Sequence, residues 1–161
     1  MSLKVGDKAP DFTLPSFNNS DEPVDYSLIT YNGKKNVVLL FFPQAFTGVC
    51  TDEMCLVRDN MNLEAGDGTE VLGISVDGTF VQKAFAKENK ITIPLLSDFN
   101  KEVIKKYDVV QEMFAHGMKN VAQRSVYLIG KDGNIKYVEV TENPGVQINL
   151  DGIQEAVKKL S

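Results

Sequence analysis

The sequence contains one histidine, His116, and two arginines, Arg58 and Arg124. Any Cys/His/Asp or Ser/His/Asp site must therefore be built on His116. Zinc would find only Cys50, Cys55 and His116 as good nitrogen and sulfur ligands, so no metal and no cofactor is expected. Two cysteines in 161 residues do not make the disulfide framework of a small secreted protein. Basic residues are not in excess: 17 lysines and arginines face 22 acidic residues, for a net charge of -5, which disfavours a nucleic-acid partner. The longest apolar run, residues 37–43, falls far short of the ~20 residues that span a bilayer. The first residues lack the apolar stretch of a secretory signal, so a cytoplasmic protein is expected. In that compartment a close cysteine pair points to catalysis or redox chemistry before structure.

What is present fits one domain, residues 1–161. The composition is 43% hydrophobic and 24% charged, which excludes collagen, low-complexity disorder and a coiled coil. A chain of this size buries roughly 69% of its surface on folding, enough for a core without staples. Residues 36–42 form a continuous β-branched and aromatic run, the pattern of a central strand covered on both faces. Residues 12–14, 71–76 and 94–97 read as further strands. Residues 18–23 read as a turn. Helices are predicted over residues 50–63, 79–89, 101–107 and 150–160, the second with Phe80, Ala84 and Phe85 along its apolar side. Residues 124–129 and 134–140 flank an Asp132-Gly133 pair, a hairpin signal. Strand–helix alternation followed by a hairpin predicts an α/β fold: a mixed central sheet, parallel in one part, with helices on both faces.

The chemistry concentrates where the central strand stops at Pro43, a loop follows, and Cys50 opens a helix. A helix N-terminus offers free N–H groups and the positive dipole end, which favour a thiolate. An ordinary thiol of pKa ~8.5 is only about 3% ionised at pH 7. Making it ~90% ionised takes about 3.4 kcal/mol, whereas a helix end contributes ~0.3–1 and at most ~2. A cation or further donors must supply the difference. Arg58 lies eight residues beyond Cys50, ~12 Å along the axis of a shared helix, so direct contact is not expected. Arg124, at the start of a late strand, is the better candidate. Ionisation alone gains little rate, because nucleophilicity falls with pKa. Donors aimed at the transition state must do more, and Thr47, the Cys50 N–H and Arg124 are at hand. Such a thiolate suits attack on an O–O bond.

The pattern Pro43-x3-Thr47-x2-Cys50, with Arg124 opening a late strand, resembles the peroxiredoxin signature. Phe41-Phe42, Thr51-x-Glu53, the Val5 to Phe12 segment and the Arg124 to Gly133 segment fit the same family. The resemblance covers most of the chain. It implies a thioredoxin-like fold and a thiol-dependent peroxidase that reduces hydrogen peroxide and organic hydroperoxides. It makes Cys50 the peroxidatic cysteine, Thr47 and Arg124 its activators, and Pro43 its shield from solvent. The spacing of Cys50 and Cys55 is similar to that of Q-type peroxiredoxins, the bacterioferritin comigratory proteins. There the second cysteine resolves the sulfenic acid into an intramolecular disulfide, and a thioredoxin- or glutaredoxin-like reductant recycles it. Residues 42–48 look instead like the one-cysteine, alkyl hydroperoxide reductase E-like group. In an ideal helix, residues five apart have Cα atoms about 8.7 Å apart, and a disulfide needs under ~7 Å. A Cys50–Cys55 bond therefore requires the first turns to unwind.

Other readings stand beside these. Cys55 also fits a core position, giving a one-cysteine peroxidase. Cys50 with His116 would make a cysteine hydrolase. A thiol sensor or holdase without turnover is a third class. Glu53 reads as a complement to the helix dipole, Arg58 as half of a surface ion pair, and His116 as a loop residue. Phe46, Phe80, Met113, Phe114 and Met118 fit either the core or an association surface, so a monomer and a homodimer are both open.

Overall fold

The computed structural model describes residues 2–18, 20–60 and 68–160. Among the described residues nine strands appear: β1 (Thr13–Ser16), β2 (Val24–Ser27), β3 (Asn36–Phe41), β4 (Thr69–Ser75), β5 (Leu95–Ser97), β6 (Val110–Met113), β7 (Lys119–Ala122), β8 (Ser125–Ile129) and β9 (Ile135–Val140). The helices are α1 (Gly48–Asn60), α2 (Thr79–Asn89), α3 (Glu102–Lys106) and α4 (Leu150–Lys158).

The apolar run becomes β3, buried at all of its positions. It lies at the centre of a five-stranded sheet ordered β5-β4-β3-β8-β9. β3, β4 and β5 are parallel, while β8 and β9 are antiparallel additions. Alternation along β3 feeds two cores. Val37, Leu39 and Phe41 face one shared with α3 and the N-terminal segment. Val38, Leu40 and Phe42 face one shared with α1, α2 and α4. Helices thus cover both faces of a mixed sheet, as expected of a thioredoxin-like fold. Helix ends follow local chemistry. The Asp98 carboxylate accepts the N–H groups of Glu102, Val103 and Ile104 to start α3. Asn149 caps α4 by accepting from the Gly152 N–H. Gly133, at φ 83°, closes the β8–β9 hairpin.

Three departures from the sequence reading stand out. Residues 61–63 of the helix predicted over 50–63, and residue 19 of the predicted turn, lie outside the described residues; the helix itself begins earlier, at Gly48. Two antiparallel pairs, β1–β2 and β6–β7, stand outside the main sheet. Their outer strands β2 and β6 have no fully buried position, so no apolar alternation announces them. In α2 the predicted apolar side holds for Phe85 but not for Phe80 or Ala84. Phe80 is 78% exposed and Ala84 is exposed, while Phe85 and Gln82 point inward. Gln82 is tolerated there because its amide donates to Ser75 Oγ and the Leu96 carbonyl.

Gly73 lies where β4 meets both neighbours, opposite Leu40 and Leu95. A Cβ there would stand 2.7 Å from Leu95 Cδ2, and Leu95 is itself buried. Gly73→Ala is expected to destabilise the fold by about 1–3 kcal/mol through overpacking, measured as a lowered thermal midpoint. Among the described residues no helix is long and apolar enough to cross a membrane.

Candidate active site

Parallel β3 and β4 end side by side, and their C-terminal ends carry the site, as in other open α/β sheets. Phe42 still donates its N–H to the Ile74 carbonyl, and buried Pro43 then ends the ladder. The chain turns through Phe46, which holds a left-handed φ of 68°. Helix α1 starts immediately after Thr47, whose carbonyl accepts the Thr51 N–H (2.9 Å) and the Thr51 hydroxyl (2.8 Å). Cys50 is the third residue of α1 and fully buried.

Arg124, one residue before β8, reaches the same point. Its Nη2 donates to Cys50 Sγ at 3.2 Å. Nε and Nη2 both donate to the Pro144 carbonyl, at 3.2 and 2.9 Å. Nη1 donates to Glu53 Oε1 in an ion pair whose two side chains are 1% and 0% exposed. A guanidinium fits here because its planar fork serves three partners in different directions. Burial works against the Arg124 charge, but Glu53 and Cys50 outweigh it and raise its pKa above the ordinary value. Burial pushes the Glu53 carboxyl up to about 7, against the pull of Arg124, with a smaller upward push from Glu139. Glu53 Oε2 is buried with no hydrogen-bond partner among the described residues.

The outer side of Arg124 lines a cleft of about 170 Å³, with Thr47, Val49, Phe114 and Pro144 on its walls. The Thr47 hydroxyl donates to the Gln44 carbonyl at 2.8 Å, so its proton is engaged and its lone pairs remain as acceptors. One wall thus accepts, and Arg124, the donor to Cys50, is also among the lining residues. A hydroperoxide, which carries one O–H and two oxygens, matches that pairing.

The structure brings Cys50, Thr47 and Arg124 to one place, with Pro43 just upstream. Cys55 is half-buried further along the unbroken helix, and both cysteines are free thiols. Arg58 does not reach Cys50; it pairs with Asp59 and donates to the Asn89 carbonyl. His116 is exposed near the tip of the β6–β7 hairpin, at φ 58°. Glu53 corrects its sequence reading: it lies beyond the first turn and pairs with Arg124 inside the protein. Its i, i+3 spacing from Cys50, which puts both on one helix face, was the available signal. The core reading also fails for Phe46, Phe80 and Met113, all of which are exposed. Phe114 is half-buried in the cleft wall.

A buried thiol at a helix N-terminus, held by a guanidinium at the end of a mixed sheet, defines a class: thiol-based redox enzymes on a thioredoxin-like scaffold. The chain belongs to the AhpC/TSA family, whose model matches residues 5–138. It is similar to alkyl hydroperoxide reductase E of Mycobacterium tuberculosis, 36% identical over 148 residues that cover 89% of this chain and 88% of that protein. Its fold matches the reduced 2-Cys peroxiredoxin of Plasmodium vivax with a TM-score of 0.85 at 28% identity, covering 97% of this chain and 81% of the other. It also matches peroxidoxin BcpB of Mycobacterium tuberculosis with a TM-score of 0.78 at 28% identity, covering 98% and 96%. The chain is a peroxiredoxin, a thiol-dependent peroxidase whose substrates are peroxides.

Proposed function

We propose that Cys50 is the peroxidatic nucleophile and that Arg124, Thr47 and Pro43 serve it. The carrying observation is the 3.2 Å contact between Arg124 Nη2 and Cys50 Sγ inside the protein. The peroxide O–H donates to Thr47 Oγ1, and Arg124 donates to the peroxide oxygens. The Cys50 thiolate attacks the nearer oxygen, the S–O bond forms, and the O–O bond breaks. Its electron pair leaves on the far oxygen, which takes a proton and departs as water or an alcohol. Arg124 is already aimed at that developing charge, so little reorganisation is needed at the moment of reaction. Pro43 helps keep bulk water from the sulfur.

Cys50 is left as a sulfenic acid. Cys55 then attacks it, water leaves, and an intramolecular disulfide forms for a thioredoxin- or glutaredoxin-like dithiol to reduce. The intact helix through both cysteines means that α1 must open first. The enzyme acts as one domain, residues 1–161, in the cytoplasm. Nucleic acid and membrane are not partners. Of monomer and homodimer, exposed Phe46 and Phe80 favour the second.

The test is intact mass after one equivalent of peroxide. A loss of two hydrogens supports Cys55 as the resolving thiol, and Cys55→Ser should then accumulate sulfenic acid and overoxidise with excess peroxide. A persistent gain of one oxygen in the wild type rejects the resolving role and leaves a one-cysteine enzyme.

A further inference from the structure

Asp77 sits just past the end of β4 and has no part in the chemistry above. Its Oδ2 accepts the Ala45 N–H at 2.8 Å and the Ser75 hydroxyl at 2.7 Å. Its carbonyl accepts the Ser97 hydroxyl at 2.6 Å. Ser75 is held in turn by the buried Gln82 amide, which also donates to the Leu96 carbonyl. A chain of hydrogen bonds therefore runs from β5 through α2 and β4 to one backbone N–H in the loop before Cys50. The residue after Ala45 is Phe46, in the left-handed region that a side chain adopts only at a cost. Nothing in its own sequence favours that conformation, so contacts on either side must hold it. Behind the loop stands Cys50, 0% exposed. In this arrangement the sulfur is closed to an added thiol.

We infer that Asp77 is a positioning residue, a latch on the Ala45 N–H that sets how often the loop opens to uncover Cys50 after oxidation. The inference rests on the reading of Cys50 as peroxidatic. A latch of this kind acts on the two half-reactions unequally. On that reading, peroxide enters past Arg124 and reacts in the closed arrangement, which stays the majority when a minor open population grows. Capture of the sulfenic acid by a thiol needs the open arrangement, so its rate follows that minor population. General loosening of the fold would instead slow peroxide reduction and lower stability without this split.

The test uses the Cys55→Ser chain, so that capture depends only on added thiol. One equivalent of peroxide is given, and thionitrobenzoate then converts the sulfenic acid and the thiol to a mixed disulfide and water. Adding Asp77→Ala should raise the capture rate about tenfold, a shift of ~1.4 kcal/mol in the opening equilibrium, and change the peroxide step less than about threefold. Asp77→Asn retains an uncharged acceptor of the same shape and should fall between. Should Asp77→Ala fail to fold, Asp77→Asn decides, and its capture rate must exceed that of the parent. Unchanged or slower capture, or both steps slowed together, overturns the latch. If the parent chain itself forms no sulfenic acid, the Cys50 reading fails first, and the latch falls with it.

Discussion

Cys50→Ser should consume no peroxide above the uncatalysed background. Serine preserves the size of the side chain, and the site is closed around it, so the fold should persist. The hydroxyl is the poorer nucleophile toward oxygen, even with the same donor at hand. No second thiol takes over, because among the described residues Arg124 donates to Cys50 Sγ and makes no contact with Cys55. The check is peroxide consumption with excess dithiol, alongside circular dichroism to establish that the variant is folded. Substantial turnover in folded Cys50→Ser would sink the assignment of the nucleophile.

Arg124→Lys should lower the second-order rate with peroxide by about tenfold or more. The substitution keeps a positive charge near Glu53, which avoids the ~3–5 kcal/mol penalty of leaving a buried carboxylate alone. It loses the geometry. Arg124 addresses Glu53 from Nη1, Cys50 Sγ from Nη2 and the Pro144 carbonyl from Nε and Nη2, all in one rigid plane. An ammonium has its donors on a single atom and cannot span those partners while still presenting a face to the cleft. Each decade of rate corresponds to ~1.4 kcal/mol of lost transition-state stabilisation, close to one charge-assisted hydrogen bond. Rapid-quench mass spectrometry of a single turnover gives the rate directly. A rate equal to wild type would reduce Arg124 to a structural residue.

Both arguments start from residues that could be picked out of the sequence, and the reason is physical. The proposed nucleophile sits at a strand–loop–helix junction, which is a local arrangement, and scarcity did the rest: with two arginines in the chain, Arg124 had little competition. The central strand was equally legible, since continuous apolar character has one explanation in a mixed sheet. What escaped is tertiary. Glu53 looked like an ordinary acidic residue near a helix start until a residue 71 positions away was placed beside it. Asp77 meets Ala45 across 32 positions, and nothing within either segment announces the pairing. The β6–β7 hairpin, which brings Phe114 to the cleft, is short and mostly exposed, so it left no period to read. In α2 the sequence misled, because aromatic Phe80 looked buried and polar Gln82 did not, whereas Gln82 is the one with internal partners.

The dimensions of the cleft also impose an order on the two substrates. At about 170 Å³ it is smaller than the ~300–1,000 Å³ of ordinary small-molecule sites. A peroxide fits while Arg124, Pro144 and the loop stay in place, but a protein reductant does not. Under the proposed mechanism the two never share the enzyme, and the oxidised Cys50 sulfur carries the record of the first encounter to the second. Such a scheme is ping-pong: peroxide sets the pace of one half, and the frequency of opening sets the ceiling of the other. Under abundant peroxide that ceiling becomes a liability. Under the same proposal, a sulfenic acid waiting behind Arg124 stays within reach of a second peroxide, and small size, the property that would select the substrate, would also admit the molecule that inactivates the enzyme.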